Sequence, residues 1–219
     1  DIRDTMGHAT RLYRIIQGGH LRLAAQAILR TDGVPAKCEL LLRAIDPMTG
    51  SALSPAVLIP PAEEFGMITT IDRWVVTAAT LAMDDGLLDD YPLVTVNLSA
   101  ISVANHSFEQ FLVERLTAQP DVAARLCFEI TETAAAASVE RSREFMAAVS
   151  ATGAIFALDD CGTGSASFGM LRGLNFECMK IDAQFVQNML SNPADDEIVR
   201  SMTRIAQALG MRTVAEGVE

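Results

Sequence analysis

Residues 126–160 read LCFEITETAAAASVERSREFMAAVSATGAIFALDD. An apolar run at 126–132 is followed by a helical pattern at 136–151, a glycine at 153, and a second apolar run at 155–160. A helix that stops on glycine just before a strand is closed by a left-handed cap. Strand, helix, strand in that order is the unit from which parallel sheets with outer helices are built.

The same alternation extends in both directions. Further strands are expected at 20–29, 37–44, 93–99, 178–182 and 212–218, and helices at 69–85, 108–118, 168–172 and 194–209. Gly210 repeats the cap seen at Gly153. The proline-rich stretch 55–61 reads as a loop leading into a helix. Seven strands in one continuous series favour a single α/β domain, a TIM-like (β/α) barrel, over two smaller ones. Closure takes eight strands, so the eighth strand unit is missing from this sequence and is expected beyond Glu219.

Ahead of the series, Ile2, Met6, Ala9, Tyr13 and Ile16 recur at heptad spacing until Gly18-Gly19. Two heptads are too few for a coiled coil, which leaves an amphipathic helix lying on the barrel or a signalling linker. The division expected is a linker helix at 1–19 and the barrel at 20–219. The sequence opens in mid-helix without an initiator Met, so it reads as part of a larger protein.

Composition excludes several classes. The 219 residues are half hydrophobic and carry a formal charge of −11, which repels nucleic acid and anionic membrane. No DNA or RNA duplex partner and no membrane contact are expected. Cys38, Cys127, Cys161 and Cys178 are isolated, with no C-x-x-C, which suits a reducing, cytoplasmic setting. No apolar run reaches spanning length, though the parent protein is free to be membrane-anchored. His8, His20 and His106 match no ligand spacing. Gly162-Thr163-Gly164 lacks the third glycine of a dinucleotide loop, and there is no G-x-S-x-G elbow.

The chemistry lies in polar residues inside strands that should be wholly apolar. Glu39, Asn97, Glu129, Asp159, Asp160, Lys180 and Glu216 break the pattern. By strand alternation, Glu39, Leu41 and Arg43 share one face, Thr95, Asn97 and Ser99 another, and Cys127, Glu129 and Thr131 a third. If these faces point to the barrel axis, several carboxylates converge near the C-terminal ends of the strands, where barrel enzymes build their sites. Buried ion pairs would explain one such acid. Six acidic or amide positions favour a hard, oxygen-donor site for Mg²⁺ or Mn²⁺. Lys180 would add a positive charge able to polarise a water or steady a phosphate.

Read in order, these residues resemble the EAL family. The name motif stands as Glu39-Leu40-Leu41, followed by Leu42-Arg43. Next come SPAVLIPPAEEFGMI at 54–68, Asn97-Leu98-Ser99, Glu129-Ile130-Thr131-Glu132, Asp159-Asp160-Cys161-Gly162-Thr163-Gly164, Lys180-Ile181-Asp182 and Ala215-Glu216-Gly217-Val218-Glu219. The resemblance implies an EAL-type barrel that hydrolyses cyclic di-GMP to linear pGpG with two metal ions, Mg²⁺ or Mn²⁺. It implies Glu39, Asn97, Glu129, Asp159, Asp160 and Glu216 as metal ligands, and Lys180 as the group that orients or deprotonates the water. Glu39, Asp160 and Glu216 count among the catalytic residues on the same ground. Arg43 would grip a phosphate oxygen, Gln26 and Leu41 would line the substrate groove, and Glu219 matches the last glutamate of the substrate site. Glu132 would anchor the loop that begins at Asp160. A homodimer contact near a helix at 168–190, and an upstream sensor or GGDEF domain, are implied as well. Ala44 stands where the family usually has a large residue, Cys161 where it has Phe, and Ala25-Gln26-Ala27 where it has Tyr-Gln-Pro. The alternative is a degenerate EAL domain acting as a cyclic di-GMP receptor or a protein-interaction module.

Overall fold

The structure is a computed structural model that describes residues 2–162 and 168–218, without the side chains of 2–8, 168 and 170. Thr163, Gly164 and Glu219 lie outside the described residues. The chain forms two compact units, 1–102 and 103–219.

In the first unit, helix α1 (Ile2–Gln17) precedes strands β1 (Leu21–Leu29), β2 (Pro35–Ile45) and the two-residue β3 (Ala52–Leu53). Helices α2 (Pro55–Glu64) and α3 (Ile68–Asp84), strand β4 (Val94–Asn97) and short helix α4 (Ala100–Ala104) follow. β1 pairs antiparallel with β2, placing Gln26 opposite Glu39 and Ala24 opposite Leu41. On its other edge β2 pairs parallel with β4, Glu39 opposite Thr95. Cys38 and Leu40 are buried while Glu39 and Leu41 are half-buried, so the expected alternation of faces holds from Cys38 to Leu41, with Lys37 buried before it and Leu42 half-buried after it.

One expectation in this unit is corrected. The stretch at 55–61 is helical, not a loop. Pro55 occupies the first turn, where a missing N–H costs nothing. Pro60 and Pro61 remove donors to the carbonyls of Ala56 and Val57, both on exposed residues, while Leu58 and Ala62 bury one turn apart and hold the helix down. Among the described side chains of α1, Leu12 and Ile15 are buried and Tyr13 is 58% exposed. One face of α1 is thus covered and the other open, as in an amphipathic helix, and Arg11 also bonds the buried carboxylate of Asp46 after β2.

In the second unit come helices α5 (His106–Thr117) and α6 (Pro120–Ala123), strand β5 (Leu126–Thr131), and helices α7 (Glu132–Ala137) and α8 (Val139–Ser150). Strand β6 (Ile155–Cys161), a 3-10 turn (Phe168–Leu171), strand β7 (Cys178–Ile181), helices α9 (Ala183–Val186) and α10 (Pro193–Ala208), and strand β8 (Arg212–Ala215) complete it. β5, β6, β7 and β8 are parallel in that order. Gly153 and Gly210 take positive φ, as the glycine stops require. Phe108, Phe145, Phe156 and Phe128 are fully buried, and in that order their ring centroids lie 6.4, 6.0 and 5.9 Å apart, joining α5 and α8 to the sheet. Each such ring contact adds about 0.5–1.5 kcal/mol beyond its area burial. All seven expected strands are present, and β3 is the addition. Among its described residues the region 168–190 holds the 3-10 turn, β7 and four-residue α9, so no single helix runs through it.

Candidate active site

Lys180, the third residue of β7, is 2% exposed. Its Nζ lies 2.7 Å from Glu129 Oε2, 2.9 Å from Asp159 Oδ1 and 2.9 Å from Glu216 Oε1. The ammonium donates a hydrogen bond to Glu129 and ion-pairs with all three carboxylates. Each partner comes from a different place in the sheet: Glu129 from β5, Asp159 from β6, and Glu216 from the residue after β8. Asp160 joins them, since Asp159, Asp160 and Glu216 each present a ligand oxygen within 4.8 Å of the others.

Strict alternation would send Asp159 and Asp160 to opposite faces. The register explains how both reach one side. Leu158 pairs with Met179 and Cys161 with Ile181, so two residues of β6 oppose Lys180 alone. This β-bulge re-aims the strand where two acids are needed side by side. Asp160 adopts φ 54, and its N–H donates to Asp159 Oδ1 at 3.0 Å. Asp is among the few side chains that tolerate that region.

The bulge opens directly into the next segment, and Glu132 pins it there. Its Oε2 accepts the Gly162 N–H at 3.0 Å, and the residue is 4% exposed. Glu132 starts α7 instead of ending β5. Thr131 caps that helix by accepting from Ala134 N–H. Gly162 itself has φ 97, and a Cβ there would meet Met202 Cε at 2.1 Å and Phe185 Cε2 at 2.8 Å. Burial, and the neighbouring Glu132, Asp159 and Asp160, push the Cys161 thiol far up, so it stays a neutral thiol.

In the first unit Asn97, at the exposed end of β4, donates Nδ2 to Glu39 Oε1 at 2.8 Å. Glu39 sits in the middle of β2, not near its end, because β2 runs on to pair with β1 and β3. Arg43 is half-buried and donates to the Leu42 carbonyl at 2.8 Å. Gln26 is exposed and Leu41 half-buried. The donor chemistry is uniform: carboxylates and a carboxamide, with no histidine or thiolate among them.

Residues 9–219 match the EAL domain family. The chain belongs to that family. It is 34% identical over 215 residues to the cyclic di-GMP phosphodiesterase PdeB of Shewanella oneidensis, covering 96% of this chain and 25% of PdeB. To the cyclic di-GMP phosphodiesterase PdeF of Escherichia coli it is 32% identical over 221 residues, covering 100% of this chain and 29% of PdeF. Among solved structures, the c-di-GMP complex of the PaMucR phosphodiesterase matches with a TM-score of 0.88 at 29% identity, covering 97% of this chain and 87% of that one. The EAL chain described here thus spans a quarter to under a third of these two curated relatives. Its fold class is the α/β, TIM-like barrel of the EAL type. Among the described residues no helix is long and apolar enough to cross a membrane.

One residue of this EAL chain escaped the reading of motifs. Asp72, in α3, is 6% exposed and bonds Ser99 of the Asn97-Leu98-Ser99 motif. The signal was present: Asp72 falls on the apolar stripe of a predicted helix, among Ile68, Ile71, Val75 and Val76. An acid on a buried stripe calls for a partner.

Proposed function

We propose that this chain is the catalytic domain of a phosphodiesterase that hydrolyses cyclic di-GMP to linear pGpG. The observation that carries the reading is the buried Lys180 with Glu129, Asp159 and Glu216 around it and Asp160 in the same group. One ammonium among four carboxylates leaves an excess of negative charge that divalent cations would offset. An all-oxygen donor set fits Mg²⁺ or Mn²⁺. By resemblance to the family, Glu39, Asn97, Glu129, Asp159, Asp160 and Glu216 hold two such ions. When bound, the ions supply Lewis acidity at the phosphate and a more acidic water.

The remaining work falls to the chain's own groups. Water attacks phosphorus, the bond from phosphorus to one ribose 3′ oxygen breaks, and that oxygen leaves as a hydroxyl. Lys180, ion-paired with three carboxylates, orients the attacking water and balances charge as the phosphate becomes crowded with oxygens. Arg43 grips a phosphate oxygen, Gln26 and Leu41 line the substrate groove, and Glu219 is assigned to substrate binding by its match to the family's motif. Glu132 keeps Asp160 in place through Gly162. In this reading residues 1–19 are a linker helix, and the longer protein supplies a sensor or GGDEF domain and works as a homodimer.

The deciding experiment incubates the protein with cyclic di-GMP and Mg²⁺ or Mn²⁺ and follows pGpG by chromatography. Metal-dependent pGpG that disappears with chelator is expected. Tight binding of cyclic di-GMP without any pGpG would make this a receptor and overturn the proposal.

A further inference from the structure

Asp72 Oδ2 accepts two hydrogen bonds from Ser99, from the backbone N–H at 3.1 Å and from Oγ at 2.6 Å. Ser99 Oγ in turn accepts the Ser102 N–H at 3.1 Å. Ser102 Oγ lies 3.3 Å from Thr69 Oγ1, one turn before Asp72 on α3. Asp72 and Ser102 are almost wholly buried, at 6% and 0% exposure. The result is a closed ring of polar contacts that staples the end of β4 to α3. Two residues upstream, still on the segment so held, Asn97 reaches across to Glu39 at 2.8 Å.

β4 is only four residues long, and Asn97 is its last and exposed residue. Strand ends fray unless something outside the ladder fixes them. Packing fixes Leu98, which is buried, but its side chain points away from that of Asn97. The directional bonds that tie this turn to α3 run from Ser99 to Asp72 and from Ser102 to Thr69, and the two nearest to Asn97 along the chain are those from Ser99 to Asp72. A carboxylate buried on an apolar helix stripe is costly, and Asp72 is spent on the strand end of this motif.

We propose that Asp72 is a positioning residue that sets the Asn97 side chain against Glu39, and through it the affinity of the metal site. The second half of that statement rests on the phosphodiesterase reading; the first does not. Asp72 touches neither substrate nor metal. Its effect passes through Ser99 and the backbone to Asn97, as groups behind metal ligands commonly act.

The test compares Asp72→Ala, Asp72→Asn and Ser99→Ala in three measurements. The first is the NMR position of the Asn97 side-chain amide in metal-free protein, assigned by its loss in Asn97→Ala. The second is Mn²⁺ affinity by calorimetry, and the third is turnover of cyclic di-GMP at saturating Mn²⁺. Asp72→Ala should move the Asn97 amide signals and weaken Mn²⁺ binding about 10–100-fold, with turnover recovered at high metal. Asp72→Asn keeps an oxygen that can accept both bonds and should stay within about threefold of wild type. Ser99→Ala keeps the backbone bond and should fall between the two; it decides the matter if Asp72→Ala does not fold. Unmoved Asn97 signals with wild-type Mn²⁺ affinity would overturn the proposal. If the wild type makes no pGpG, the phosphodiesterase reading fails, and the Asn97 signals alone still decide the positioning role.

Discussion

Asp159 accepts the backbone N–H of Asp160 at 3.0 Å, and this bond accompanies a positive φ at Asp160. The two acids stand together because the bulge gives β6 one residue more than β7 opposite Lys180. The bend carries a conformational cost that depends on the side chain at position 160. Asp160→Gly should be more stable than Asp160→Ala by about 1–2 kcal/mol in denaturant titration, since only glycine is free of the left-handed penalty. Both variants lack the carboxylate, so relief of charge crowding cancels in the comparison. Equal stability would refute the strain, and both should lose turnover.

Glu132 holds Gly162 and so the far end of the bulge. Glu132→Ala should raise the metal concentration for half-maximal turnover about 10–100-fold, and excess metal should restore part of the rate. Glu132→Gln retains an acceptor and should lie closer to wild type. A metal titration of turnover reads both, and wild-type behaviour in Glu132→Ala would return the residue to a packing role.

Lys180→Met removes the one cation described among Glu129, Asp159 and Glu216. Breaking a buried charge cluster in this way typically costs about 3–5 kcal/mol. Thermal melts should show a marked loss that added Mn²⁺ partly reverses, because the carboxylates gain a substitute cation. Turnover should fall ~10²–10⁴-fold, the usual range for one acid–base group. A variant as stable as wild type without metal would show that the carboxylates do not repel.

Glu39→Ala should abolish hydrolysis while the fold persists, since Glu39 is half-buried and strand packing rests on Cys38 and Leu40. Circular dichroism and pGpG production check the two halves. Near-normal turnover would remove Glu39 from the proposed ligand set.

Burial raises the Asp72 carboxyl above its ordinary 3.8, and the bonds from Ser102 and Ser99 oppose the rise only in part. The folded protein therefore binds a proton more readily than the unfolded chain. Asp72 contributes most below about pH 3.8, and that contribution declines as pH rises through the higher folded value. Stability of wild type minus that of Asp72→Asn should therefore decrease with pH across this window. A flat difference in urea midpoints would mean that burial does not control this group.

Much of the fold was legible because strand periodicity and glycine stops are local. Leu126–Thr131, Ile155–Cys161 and Cys178–Ile181 fell where apolar runs placed them. Polar residues inside those runs pointed to Glu129, Asp159, Asp160 and Lys180, which the structure brings together. What stayed hidden depends on relations between strands. No alternation rule reveals that Asp159 and Asp160 share a side, since that follows from a register with β7. Proline content at 55–61 misled because a helix can tolerate interior prolines where the freed carbonyls are on exposed residues and two apolar side chains anchor it. In α1 the residues of the heptad spacing did not reveal which side chains are covered: among those described, Leu12 and Ile15 are the buried ones, and periodicity alone does not name the partner.

The antiparallel pairing of β1 and β2 makes loop length at residues 30–34 a ruler for the face of β2 that carries Glu39. Arg30 and Val34 close that turn by backbone hydrogen bonding at 2.9 Å, and β1 shifts register only beside the turn, between Ile28 and Leu29, so the pairing from Leu21 to Ile28 is in one register. A crossover helix absorbs an inserted residue in its own length; a hairpin has no such slack. One residue added to the turn and taken up by the ladder would slide Gln26 off Glu39 and turn the whole of β1 face for face. Among natural relatives, length changes should therefore gather in other loops and spare this one.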